Sequence, residues 1–321
     1  MKTLSMTVFA ALVVTTGTAH AEWPEQPITM IVPWAAGGGT DAIARTIATS
    51  LEKTLGKPVN VVNRTGGSGA VGHAEIIAAK PDGYTIGLAT AEFTSYYWTG
   101  ISQFTSKNLT PVGLVNFDAA AFSVAKDSPW KDLKQALDAI SASKAGTYKM
   151  TAPVGGSYHL ALSGLLQQLN ISPKLVTVVP VQGAAPGLQE LASGGVQIAP
   201  FSLPEGKAMI ESGHVRPLAV FSEKRLDAYP TVPTVTEAVG KAYVGGTWRG
   251  IVAPAGLQAP VATKLGKVLE ATINSEEYKA FLASRGFGWG WMPEAEFGGF
   301  LAAQHDSVGK VLTTLDMNQR K

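Results

Sequence analysis

The sequence has no cysteine, which excludes a thiol nucleophile, a cysteine-ligated metal and a lipid anchor on an N-terminal cysteine. Charge is scarce at 16% of residues, and 26 basic groups face 24 acidic ones, so neither sign dominates. No basic run or arginine stripe is present, which argues against a nucleic-acid partner. The five histidines show no metal-ligand spacing, so neither metal nor cofactor is expected. Beyond the chain start, no stretch reaches the roughly 18 consecutive apolar residues that a membrane span requires. What remains is a chain of 321 residues that is 45% hydrophobic, enough for a sizeable core and two domains.

The first 21 residues read as a secretory signal. Lys2 gives a positive start, Leu4 to Val14 is a short apolar run, and Ala19-His20-Ala21 fits a small-x-small cleavage site. Cleavage is expected after Ala21. In a Gram-negative cell the mature protein would then lie free in the periplasm.

The most informative stretch is Pro27 to Arg45, PITMIVPWAAGGGTDAIAR. Ile28–Val32 is a β-branched, apolar run of strand type, and Asp41–Leu55 carries apolar residues at helical spacing. Gly37, Gly38 and Gly39 join the two. Unpaired amides at a helix start, helped by the helix dipole, attract a carboxylate or phosphate. One such end contributes about 0.3–1 kcal/mol when exposed and up to ~2 when partly buried, so a second is needed. Thr151 to Leu166, TAPVGGSYHLALSGLL, repeats the logic, with Ser157 placed either to cap the helix or to donate to an anion. A joint in each half of the chain suggests a ligand held between two lobes.

The remaining pattern is alternating α/β. Strands are expected at Val59–Val62, Tyr84–Thr90, Lys149–Ala152, Leu175–Val181, Val196–Phe201, Val215–Phe221 and Trp248–Ala253. The apolar passage Val112–Ala125 crosses into a second lobe, and Tyr229–Val235 reads as the return. The domain division is 22–117 with 228–321, and 118–227. Closure is expected about Asn116–Ala120 and Phe221–Thr234. Ligands of such sheets bind beyond the carboxyl ends of the strands, where both glycine joints lie.

Two enzyme readings compete with this one. Gly67, Gly69 and Gly72 satisfy the dinucleotide-binding spacing, with Glu92 about 20 residues on, as an oxidoreductase would require. They follow the second strand rather than the first, which favours a tight turn with close packing. Ser157 and His159 offer a hydrolase pair, but two residues apart at a helix start they point in different directions. His73, His214 and His305 read as surface residues.

Taken in order, these blocks resemble the Bug-type (TctC-like) periplasmic solute receptors of tripartite tricarboxylate transporters. PITMIVPWAAGGGTDAIAR is similar to the first ligand loop of that family, NRTGGSGAVG to its asparagine-arginine-glycine segment, and TAPVGGSYHLA to its second ligand loop. VPVQGAAPGLQELASGG and GTWRGIVAPAG follow in family order. The resemblance implies a non-enzymatic Venus-flytrap protein whose two α/β domains close on a small carboxylate. It also implies permease subunits as partners, and the chain is expected to be a monomer.

By position, the resemblance carries over Ala36, Gly37, Gly38, Gly39, Thr40 and Asp41 as ligand-binding residues, and Gly155, Gly156, Ser157 and His159 from the second loop. Thr90 and Gly183 face the same expected cleft. Asp41 is assigned to ordering the loop or capping the helix. Phe201 and Ser202 stand where many relatives carry an acidic or amide pair, and Gln197 where aspartate is common. The pocket wall at Phe201 is therefore less polar, and Trp34, Tyr96, Tyr97, Trp98 and Trp248 are placed either to sandwich a ring or to pack in the core or hinge; the first reading favours an aromatic acid over an aliphatic di- or tricarboxylate. Arg249 is placed either to pair with a second carboxylate or to form a surface ion pair, and the ion pair is favoured.

Overall fold

The computed structural model describes residues 22–314 and 316–320; the expected signal peptide lies outside them. The elements, in chain order, are β1 (Ile28–Val32), α1 (Gly39–Leu55), β2 (Val59–Asn63), α2 (Ala70–Ala78), β3 (Thr85–Thr90), β4 (Leu109–Ala119) and β5 (Ala121–Ala125). There follow α3 (Leu133–Ser141), β6 (Tyr148–Thr151), α4 (Ser157–Gln168), β7 (Val176–Val179), α5 (Ala184–Ala192), α6 (Lys207–Glu211), β8 (Val215–Val220) and α7 (Val235–Val239). The chain closes with β9 (Gly246–Pro254), α8 (Ala259–Asn274), α9 (Glu276–Arg285), β10 (Trp289–Pro293) and α10 (Glu294–Thr314).

The first lobe is a six-stranded sheet in the order β10-β4-β9-β3-β1-β2. β1 pairs in parallel with β2 and β3, whereas β9 runs antiparallel between β3 and β4. Helices cover this sheet, so β1 reads as a nearly unbroken apolar run, and β9 is buried almost throughout even though it carries Thr247 and Arg249. α1 docks through Ile43, Ile47 and Leu51, spaced to share one face. It ends at Gly56, whose positive φ of 67° lets its amide reach the Glu52 carbonyl.

The second lobe is built from the pairs β5-β8 and β6-β7. The expected strand Val196–Phe201 joins them through isolated bridges, Ser123 to Ala199 and Met150 to Ile198. Phe122, Leu162, Ile198, Phe201 and Phe221 belong to its core. Val235 lies in the same core and Tyr243 packs on it, so the chain stays on this lobe past the expected return at Tyr229–Val235. It passes back at Gly245, whose amide bonds Phe221 and whose carbonyl accepts from Ala120. The result is a two-lobed α/β fold. Among the described residues, no helix is long and apolar enough to cross a membrane.

Two elements were absent from the sequence reading. β10 (WGWMP) has no alternation of apolar and polar residues, and α7 is a single capping box, Thr234 with Glu237. The apolar passage expected at Val112–Ala125 resolves into two strands, β4 beginning slightly earlier at Leu109 and β5 following at Ala121.

Glycine positions give a direct test of the packing. A Cβ on Gly72 would lie 2.6 Å from the Arg64 carbonyl oxygen and 2.7 Å from Pro33 Cα, both backbone atoms, whereas one on Gly266 within α8 meets nothing. Gly72→Ala is expected to cost about 1–3 kcal/mol, and Gly266→Ala to add about 0.5–1 kcal/mol. Urea unfolding of the two variants beside the parent would measure both signs.

Candidate functional site

Between the lobes lies a narrow cavity, with room of about 30 Å³ for the centres of water-sized molecules. The first lobe contributes Trp34, Gly38, Gly39, Thr40, Thr90, Glu92, Thr247 and Arg249. The second contributes Pro153, Tyr158, Gly183 to Pro186, Phe201 and Glu205. Two helix starts meet there: α1 presents Gly39 and Thr40, and α5 presents Ala184 and Ala185 after Gly183, its N-cap. Neither N-cap supplies a side-chain acceptor, and amides of a first turn have no intrahelical one. Gly183 sits at φ 120°, a backbone state that a side chain would strain.

Arg249, expected in a surface ion pair, is instead 2% exposed on β9. Its Nε donates to Thr40 Oγ1 at 2.9 Å, and Nη1 donates to Asn116 Oδ1 and Asp118 Oδ2, both at 2.5 Å. Its Nη2 crosses the cleft to Glu205 Oε1 at 2.7 Å. Glu205 Oε2 accepts from the Tyr158 hydroxyl at 2.5 Å and from Ser202 Oγ at 3.2 Å. Burial pushes the Glu205 carboxyl upward, with Arg249 pulling it back. Burial works against the Arg249 charge, but Glu205 and Asp118 outweigh it and hold the guanidinium charged. Gly39 is required at this meeting, since a Cβ there would lie 2.8 Å from the Glu205 side chain.

The second-loop residues are arranged differently from the first. Gly155, Gly156, Ser157 and His159 lie outside the cavity lining. The start of α4 holds a carboxylate of the chain itself: Glu92 Oε1 accepts from the Ser157 amide at 3.2 Å and from its hydroxyl at 3.0 Å. His159 Nδ1 accepts from the Gly155 amide at 3.0 Å, so Ser157 and His159 face different partners. In the first loop, Ala36 and Gly37 are exposed and outside the lining. Asp41 orders that loop, accepting from the Gly37 amide, Arg45 and Asn63. Trp34 Nε1 donates to Thr90 Oγ1 at 3.2 Å, tying two lining residues together.

His73, read as a surface residue, is fully buried. Its Nε2 accepts from the Thr90 amide and its Nδ1 lies 2.8 Å from the Gly69 carbonyl, so it supports the wall from behind. The glycines of the dinucleotide-type pattern pack on the chain: a Cβ on Gly69 would press on Tyr96 and Trp34, and Gly72 abuts Pro33. The sequence reading missed Tyr158, Asp118 and Glu205, none of which carries a local signal, whereas it placed Gly183, the α5 N-cap, at the cleft.

Two predictions follow from this electrostatics. Replacing Arg249 with methionine strands Asp118 and Glu205 in a dry site and is expected to cost about 3–5 kcal/mol in chemical unfolding. Desolvation lowers both His73 and His159 to about 4, so the unfolded chain binds more protons between pH 6.5 and 4. Their stabilisation is complete above pH 6.5 and is lost as pH falls, by about 3 kcal/mol for each histidine. His159→Asn keeps an acceptor for Gly155 without titrating, and is expected to halve that pH slope.

Comparison with known proteins agrees with this architecture. Residues 43–317 match the family described as Tripartite tricarboxylate transporter family receptor, TctC. A UPF0065 protein from the TAR-I ttuE-ttuC' intergenic region of Agrobacterium vitis is 32% identical over 263 residues, covering 79% of this chain and 73% of that protein. Protein BugT of Bordetella pertussis is 29% identical over 270 residues, covering 82% and 81%. The structure of R. palustris Rpa4515 with adipate superposes with a TM-score of 0.84 at 27% identity, covering 92% of this chain and 99% of that one. A two-lobed α/β chain with paired helix starts at its cleft, matched over this length, belongs to the tripartite tricarboxylate transporter receptors: it is a Bug-type, TctC-like solute-binding receptor and not an enzyme.

Proposed function

We propose that this receptor captures a small organic carboxylate, preferentially an aromatic one, in the periplasm and delivers it to the membrane subunits of a tripartite transporter. The observation that carries this reading is the convergence of the α1 and α5 starts, one from each lobe, on a single cavity. A carboxylate seated there receives backbone donors from both lobes, so its binding draws them together. Adipate in the R. palustris relative supports the ligand class.

The walls support the aromatic preference. Trp34, Tyr158 and Phe201 line the cavity, with Pro153 and Pro186. Tyr158 and Phe201 stand edge to face at 5.2 Å between ring centres. Micromolar binding needs about 8.2 kcal/mol. Two helix starts contribute at most ~4 of this, and burying roughly 100 Å² of a ring adds about 2.5; hydrogen bonds and water exclusion must provide the remainder. We assign closure to the two crossings between lobes, at Ala119–Ala121 and at Gly245–Gly246. By this division the second domain runs from about residue 120 to 245 and the first holds the rest of the mature chain.

A thermal-shift series of benzoate-type, adipate-type and citrate-type acids tests the reading. A ligand at a hundred times its Kd stabilises by about 2.7 kcal/mol, or roughly 5–10 °C for a chain of this size. Aromatic acids are expected to give the larger shift. Phe201→Leu is expected to weaken them several-fold more than aliphatic acids, and equal losses would remove the aromatic wall from the proposal.

A further inference from the structure

We infer that Glu92 selects a solute carrying an ammonium group as well as its carboxylate, so that the receptor takes a zwitterion of the amino-acid type rather than a simple di- or tricarboxylate. This rests on the carboxylate reading above and narrows it. Among the residues lining the cavity, Arg249 is the one cation, against Glu92 and Glu205. The guanidinium is already committed to Thr40, Asn116, Asp118 and Glu205. Both oxygens of Glu205 are engaged, one by Arg249 and the other by Tyr158 and Ser202. Asp118 is matched by the same guanidinium and by the Gly288 amide at 2.7 Å.

Glu92 is different. It is 3% exposed and lines the cavity, and only its Oε1 is engaged, by the amide and hydroxyl of Ser157. Capping α4 accounts for that oxygen alone. Among the described residues, Oε2 receives no hydrogen bond, and no lysine or arginine pairs with this carboxyl. A buried carboxylate that lines a cavity with one oxygen unmet by the chain is a site for a donor, and a cation meets it best. An ammonium brings three donors and the opposite charge. A second ligand carboxylate would bring like charge into a site where separation from water strengthens repulsion. The carboxylate at the paired helix starts and the ammonium at Glu92 together define the ligand class.

Matched pairs that differ only in the amino group test this: phenylalanine with 3-phenylpropanoate, and glutamate with glutarate, titrated calorimetrically into the full mature protein. In at least one pair the amino acid is expected to bind tenfold or more tightly than its deaminated partner. Glu92→Gln should then shrink that ratio at least tenfold, whereas Glu92→Asp, which keeps the charge, should retain a preference. Deaminated acids binding as well as or better than their partners would overturn the inference and leave the carboxylate reading standing. A preference that survives in Glu92→Gln would overturn the assignment to Glu92. Binding of none of the four acids would remove the inference together with the reading beneath it.

Discussion

The buried guanidinium of Arg249 is the constraint around which the cleft is organised. Taking such a group out of water costs several kcal/mol unless its donors are met by well-placed acceptors. Here the acceptors come from three parts of the chain: Thr40 at the start of α1, Asn116 and Asp118 at the end of β4, and Glu205 from the other lobe. Satisfying one side chain therefore sets the position of a helix start against the sheet. It also brings the second lobe to a defined register, and it explains why Gly39 leaves room at the point of contact.

The cleft uses one physical device in two ways. Helix starts attract negative charge whether it comes from a solute or from the chain. At α4 the chain supplies it, from Glu92 across the cleft. At α1 and α5 the lining backbone remains directed at the cavity. Gln182 adds a further tie between lobes, accepting from the Ala35 amide through its carbonyl and from the Gly66 amide through its side chain. Closure and recognition thus draw on the same kind of contact, and their geometries are coupled.

Much of this was legible in the residues. The β1 to α1 joint could be read because an apolar β-branched run, three glycines and a helical repeat follow one another without interruption. The same local logic identified α4, but its partner was invisible, since Glu92 reaches it only through the tertiary fold. Arg249 was misread for a related reason: a lone arginine in an apolar strand gives no sign of Asp118 or Glu205, which the topology delivers from far along the chain. His73 looked like one of several scattered histidines because its burial depends on Phe93 and Tyr96 folding over it. Local pattern specified elements, and long-range pairing specified the electrostatics.

The position of β9 has a consequence for how the chain is assembled. It is the strand that separates β3 from β4, pairing Val252 with Gly87 and Gly250 with Leu114. The first lobe therefore cannot complete its sheet until the last quarter of the polypeptide has been synthesised. The second lobe is one continuous stretch and is free of this delay. Closing such a large loop is slow, so the amino-terminal half remains without its central strand until that last quarter has emerged.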